Sequence, residues 1–136
     1  KIQFNDYIRE ITNYLFSSYG VTKEAISLEL YVQDANLILD KAMPCAMIIN
    51  ELISNCLRHA FPDGREGKIE VSFVITPDNV GILEVLDDGI DFPEDFNAEE
   101  STTTGFRIIQ TLVRQLDGKI QISRKPRKII SISFPI

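Results

Sequence analysis

The chain predicts an α+β fold, a two-layer α/β sandwich in which helices cover one face of a mixed, mostly antiparallel sheet. Three observations lead there. The segments run helix, two strands, helix, two strands, long loop, helix, two strands; strands at hairpin spacing outnumber helical crossovers; and no Gly-rich turn follows a first strand, which sets a doubly wound nucleotide fold aside. At 136 residues, 44% hydrophobic and 25% charged, the chain is expected to form one domain over residues 1–136 with a proper core.

The three-and-four spacing of Ile2, Phe4, Tyr7, Ile8, Ile11, Tyr14 and Leu15 predicts an amphipathic helix from Ile2 to Ser18, closed by Tyr19-Gly20. Ile26, Leu28, Leu30 and Val32 alternate with Ser27, Glu29 and Tyr31, predicting a strand from Ala25 to Val32. The short apolar run Leu37-Ile38-Leu39 predicts a second. Asp40 offers an N-cap and Pro44 falls in the first turn of a helix running from about Lys41 to His59, which stops at Phe61-Pro62-Asp63-Gly64. Strands from Lys68 to Ile75 and Gly81 to Leu86 follow, joined by the turn residues Thr76-Pro77-Asp78-Asn79 and expected to pair antiparallel.

From Asp87 to Thr104 periodicity lapses, giving a loop longer than the usual connection. Helical spacing returns from Gly105 to Leu116 through Phe106, Ile109, Leu112 and Val113, with Gly118 as the stop. Lys119 to Ser123 and Ile129 to Phe134 then form a closing hairpin.

The net charge of −6 argues against a nucleic-acid partner, since neutralising phosphates needs a basic patch; the run Arg124-Lys125-Pro126-Arg127-Lys128 reads as a solvated hairpin. No apolar stretch reaches the roughly 20 residues a membrane helix requires, so no direct membrane contact is expected of this domain. Cys45 and Cys56 lie on one helix, about 16 Å apart at 1.5 Å per residue, too far to bridge. They read as buried apolar residues, which fits a reducing compartment.

The segment Asn50 to Pro62 carries the strongest functional signal. On a helix, Glu51, Asn55, Arg58 and His59 fall along one stripe, while Ile49, Leu52, Ile53, Cys56, Leu57 and Ala60 occupy the opposite side. That motif, followed by Asp87-Asp88-Gly89 at a strand end and Thr104-Gly105-Phe106 opening a helix, resembles the ATP-binding domain of sensor histidine kinases. These share a superfamily, the Bergerat-type ATP-binding fold, with DNA gyrase, the heat-shock-90 chaperones and the MutL proteins. Asn50-Glu51-Leu52, Asn55, His59-Ala60-Phe61-Pro62 and Gln115-Leu116 with Gly118 resemble the kinase subgroup whose helix carries Glu.

The resemblance implies ATP and Mg²⁺ as cofactors and a role for each position. Asn55 offers an amide oxygen to Mg²⁺, a hard cation normally shared with substrate phosphates. Glu51, one turn earlier, would orient or deprotonate a nucleophile or hold a metal-bound water. Arg58 and His59 would reach phosphate oxygens. Asp87 would accept a hydrogen bond from the adenine amino group, and Gly89 would let the backbone approach the base. Gly105, with Thr104 as N-cap and Phe106 following, would present first-turn N–H groups to phosphate, under a lid from Phe92 to Thr103.

At the level of the parent protein, the resemblance implies a cytoplasmic two-component kinase, homodimeric, with membrane anchorage left open. Its γ-phosphoryl group would pass to a histidine on a separate helical domain and serve a response regulator. His59 is the only histidine, so the phosphoacceptor is expected outside these residues.

Three positions depart from the family pattern. Asp91, counted by its position among the nucleotide-binding residues, stands where relatives show a second glycine, and a carboxylate there would oppose a triphosphate unless it faces away or pairs with a metal. The lid carries Glu94, Asp95, Glu99 and Glu100 with no glycine before Gly105. Arg127 and Lys128 stand where relatives often place Gly-Thr, the Thr reaching the adenine-binding aspartate through a water. Two further readings therefore stay open: a degenerate nucleotide-binding or docking module without efficient kinase activity, and an anti-sigma-type serine kinase or small ATPase.

Overall fold

The computed structural model describes residues 1–22, 24–91 and 104–136. The expected lid, Phe92 to Thr103, lies outside the described residues. The main sheet has five strands: β2 (Ile26–Val32), β4 (Gly67–Ile75), β5 (Val80–Asp87), β7 (Lys128–Pro135) and β6 (Lys119–Ser123), in that spatial order. β2 and β4 run parallel, because the chain between them crosses over through helix α2 (Leu39–Asn55); the other pairs are antiparallel. The mixed sheet expected from the strand order is therefore present.

Alternation decides which face the helices cover. Ile69, Val71, Phe73, Leu83, Val85, Ile130, Ile132 and Phe134 are buried against the helix layer, while Ser72, Glu84 and Ser131 lie half-buried on the opposite face. Helix α1 (Phe4–Ser18) contributes Phe4, Ile8, Leu15 and Phe16, and Phe4 meets Phe73 edge-on at 4.8 Å between ring centroids. Helix α3 (Thr104–Gln115) contributes Phe106, Ile109, Leu112 and Val113. Each such side chain removed from water is worth roughly 1.5–3 kcal/mol, enough together to fix where the first turn of α3 lies.

Several boundaries differ from the sequence reading. The first helix begins at Phe4, because Ile2–Gln3 form a short strand, β1, paired with β3 (Asn36–Leu37) in a separate two-stranded sheet. The run Leu37-Ile38-Leu39 thus supplies no strand to the main sheet: Leu37 is buried, but Leu39 already opens α2. Ile38, not Asp40, occupies the N-cap position and makes no side-chain cap bond; Asp40 lies in the first turn, where its charge complements the helix dipole. Pro44 lies beyond that turn, so it forgoes one interior helix bond, and its ring is buried.

The α-helical part of the second helix ends at Asn55, and Cys56–Ala60 continue as a π-helical turn. At the end of α3 the left-handed residue is Asp117 (φ 54), not Gly118. The Gly118 N–H donates to Val113 O at 2.9 Å and the Asp117 N–H to Arg114 O at 3.0 Å, a Schellman closure. Both expected hairpins are present; the first turns through Asn79 at φ 62.

Candidate functional site

The solvent side of α2 brings together part of the expected stripe. Glu51 and Asn55 are half-buried and Arg58 is exposed. The π turn carries Arg58 back over the helix, where its Nη2 donates to Asn55 Oδ1 at 2.7 Å and its Nε to Ser54 O at 3.3 Å. Asn55 Oδ1 has two lone pairs, so this bond leaves acceptor capacity. His59 is exposed at the same turn and joins none of these bonds. On the other side, Ile49, Leu52, Ile53, Cys56 and Ala60 are buried as expected.

Gly105 brings α3 to this stripe. A methyl group there would lie 3.1 Å from Glu51 Oε2 and 3.7 Å from Asn55 Oδ1, so the first turn of α3 rests directly against the polar face of α2. The start of a helix, with its N–H groups and the positive end of its dipole, is suited to anions. Thr104 is the first residue of α3 rather than the cap before it. Phe106 is buried in the core at 5% exposure, so its ring serves packing; of this residue only the backbone can face a ligand at the helix start.

Asp87, at the end of β5, is 9% exposed and surrounded by donors. Its Oδ1 accepts from the Gly89 N–H at 2.9 Å and from Lys128 Nζ at 3.1 Å, and its Oδ2 from the Cys56 thiol at 3.4 Å. Lys128 Nζ also donates to Ile90 O at 2.7 Å, and the Ile90 N–H donates to Ala60 O at 2.9 Å. Burial first, and then the Asp87 charge, pushes the Cys56 thiol well above its ordinary pKa. Burial likewise pushes Cys45 up to about 12, so both cysteines are free, protonated core residues.

Gly89 also serves packing. A methyl on it would lie 2.3 Å from Ala60 O, so the missing side chain lets the loop after β5 close on the end of the π turn. Asp91 is half-exposed and paired with Arg124, with Nε 4.0 Å from Oδ1. A cavity of about 420 Å³ opens at this end of the sheet, lined in part by Asp87, Gly89 and Lys128 and in part by Lys68, Glu70 and Arg127 of the open sheet face.

Arg127 and Lys128, read as one departure, separate in the structure. Arg127 turns to the open sheet face and pairs with Glu70 at 3.5 Å. Lys128 points to the helix side and pairs with Asp87. The signal was available: period-two alternation puts Lys128 on the same face as Ile130, Ile132 and Phe134. The Cys56 thiol contact to Asp87 was also missed, since it depends on where the π turn sets the sulfur.

The donor set can be tested against Mg²⁺ and ATP. Among the described residues no group of three or more His, Cys, Asp or Glu could hold a metal ion. Glu51 and Asn55 still supply hard oxygens beside a helix N-terminus, which suits a cation completed by phosphate and water. Gly105 leaves open the space a side chain would fill, so the residues present fit a metal-bound triphosphate. No helix among the described residues is long and apolar enough to cross a membrane.

Comparison with known proteins places this geometry in context. A family model described as histidine kinase-, DNA gyrase B-, and HSP90-like ATPase matches residues 40–136. The sensor histidine kinase PdtaS of Mycobacterium tuberculosis is 35% identical over 83 residues, 60% of this chain and 16% of that protein. Blue-light-activated histidine kinase 2 of Erythrobacter litoralis is 25% identical over 113 residues, 82% of this chain and 33% of that protein. The histidine kinase domain of the Erythrobacter litoralis EL346 blue-light activated kinase superposes with a TM-score of 0.89 at 24% identity, covering 98% of this chain and 61% of that one. The chain thus spans 16% to 33% of the length of these two curated relatives, and its α+β fold is that of histidine kinase ATPase domains.

Proposed function

Because the chain belongs to the histidine kinase-, DNA gyrase B- and HSP90-like ATPase family, we propose that it binds Mg·ATP and presents the γ-phosphoryl group to a histidine on a separate helical domain. The observation that carries this reading is the approach of α3 to α2 at Gly105, which sets a helix N-terminus against Glu51 and Asn55. In this reading Asn55 Oδ1 turns to the cation, Glu51 holds a cation-bound water or orients the acceptor, and Arg58 and His59 meet phosphate oxygens. The start of α3 at Gly105 and Phe106 faces the same phosphates, with Thr104 at the mouth, and Asp87 receives the base. Bound Mg²⁺ supplies charge neutralisation; the residues supply positioning, which is most of what phosphoryl transfer asks of a protein.

The phosphoacceptor domain and a response regulator are the partners this reading requires, in a cytoplasmic, homodimeric parent, with residues 1–136 acting as its nucleotide-binding domain. His59 is the sole histidine and is committed to phosphate contact, so the acceptor lies on that other domain. One observation favours the second reading, a docking module without efficient transfer: Asp87 is already paired with Lys128.

Titrating the chain with Mg·ATP, alongside Asn55→Ala and Asp87→Asn, separates the two. Saturable binding in wild type, lost in both variants, is the expected result. No saturation up to millimolar nucleotide overturns the kinase reading and leaves the docking module.

A further inference from the structure

The Arg58 guanidinium is held at the stripe of α2 by two neutral oxygens. Its Nη2 donates to Asn55 Oδ1 at 2.7 Å and its Nε to Ser54 O at 3.3 Å, a geometry set by the π turn that folds Arg58 back over the helix. Among the described residues it forms no ion pair with a carboxylate, and its side chain is exposed. The cation is tethered but not neutralised.

Resting on the nucleotide-binding reading above, we propose that Arg58 is a specificity-determining residue that selects the metal-nucleotide complex over the free divalent cation. The oxygen it binds is the one assigned to the metal in that reading. Oδ1 keeps a second lone pair, so the hydrogen bond alone would not exclude a cation. Charge does: a Mg²⁺ ligated by Oδ1 at the ~2.1 Å this ion requires would lie within about 5 Å of Arg58 Nη2. At that separation a divalent and a monovalent cation repel strongly, and half-buried Glu51 sets a single negative charge against them. A polyphosphate reverses the balance. It neutralises the metal it carries and offers the guanidinium fork an anion in place of two carbonyl oxygens, so Arg58 moves to phosphate and leaves Oδ1 to the metal.

Manganese(II) chloride is the informative probe, because Mn²⁺ takes the oxygen ligands that suit Mg²⁺ and its uptake can be followed by electron paramagnetic resonance. Arg58→Gln keeps a donor for Asn55 and removes the charge, so affinity for Mn²⁺ alone should rise by at least about fivefold over wild type. Affinity of the same variant for Mg·ATP, read by isothermal titration, should fall roughly fivefold. Opposite signs are the signature. Arg58→Lys keeps the charge and should hold Mn²⁺ affinity within about twofold of wild type. Combining Asn55→Ala with Arg58→Gln should erase the gain, which ties the metal to Oδ1 rather than to the acidic surface at large.

An arginine that only braced the Asn55 amide would move both affinities the same way, so Mn²⁺ binding that is unchanged or weakened in Arg58→Gln overturns the proposal. So does a gain that survives Asn55→Ala, or one that Arg58→Lys shows equally. Wild-type binding of free Mn²⁺ as tight as that of Mg·ATP overturns it too, a result that needs no variant to fold. If Mg·ATP does not saturate wild type at millimolar concentration, nucleotide binding itself fails and this inference falls with it. If Mg·ATP binds but the Mn²⁺ affinity does not rise in Arg58→Gln, only the role of Arg58 falls.

Discussion

The candidate site is open at the end proposed for phosphate and laid along one helix, whereas at the end proposed for the base it is closed and tied together from four segments. Asn55 and Arg58 come from successive turns of the same element and meet through one 2.7 Å bond, with Gly105 brought up to them by α3. Asp87 is instead held by Gly89 from its own loop, Cys56 from the π turn and Lys128 from β7, and Lys128 reaches on to Ile90. The open end can change its residues at little cost to the fold. At the closed end the groups proposed for recognition also hold the fold together.

The largest expected effect tests that union. Asp87→Ala removes the carboxylate from a buried ion pair and should cost about 3–5 kcal/mol in urea unfolding, besides abolishing nucleotide binding. A loss below about 1 kcal/mol, within the range of an exposed pair, would break the comparison.

The two glycines should respond in opposite ways. Gly89→Ala drives a methyl into Ala60 O and should destabilise the fold by about 1–3 kcal/mol. Gly105→Ala meets only the tip of Glu51 and gains helix propensity, so stability should hold or rise by up to about 1 kcal/mol. Its Mg·ATP affinity should nevertheless fall about tenfold, as the methyl enters the phosphate approach. Thermal melts of both variants with and without Mg·ATP would show whether the ligand shift disappears only where the melting temperature does not.

The smallest effect on folding belongs to Arg58→Ala. The side chain is exposed, so stability should stay within about 0.5 kcal/mol while Mg·ATP affinity drops roughly fivefold, read by isothermal titration. Equal losses in stability and affinity would show that the open end is structural too.

The same contrast governs what the sequence disclosed. Helical spacing fixes which residues share a face over short range, so Glu51, Asn55 and Arg58 could be grouped from their numbers, and the three main helices from their apolar periods. The base end depends on strand register between β5 and β7, which places Lys128 opposite Asp87 across more than forty positions of chain. Alternation could have separated Lys128 from Arg127, read together as one departure, but could not have shown what Lys128 would meet. The pairing of Ile2–Gln3 with Asn36–Leu37 was illegible because two residues carry no period. Phe106 satisfied a helical core pattern and a motif position together; only packing decides that its ring belongs to the core.

The π turn at Cys56–Ala60 can also be regarded as a matter of residue count. A π turn holds one residue more than the α-helical turn it replaces, and one residue of α-helix is worth about 100° of rotation and 1.5 Å of rise. Deleting a single residue there would give a more regular helix and a mis-phased one: everything after it would rotate away from the loop that Ala60 anchors. The irregular turn therefore works as a phase adjuster, and chain length between Asn55 and Phe61 should tolerate neither gain nor loss, even where side-chain identity is free to vary.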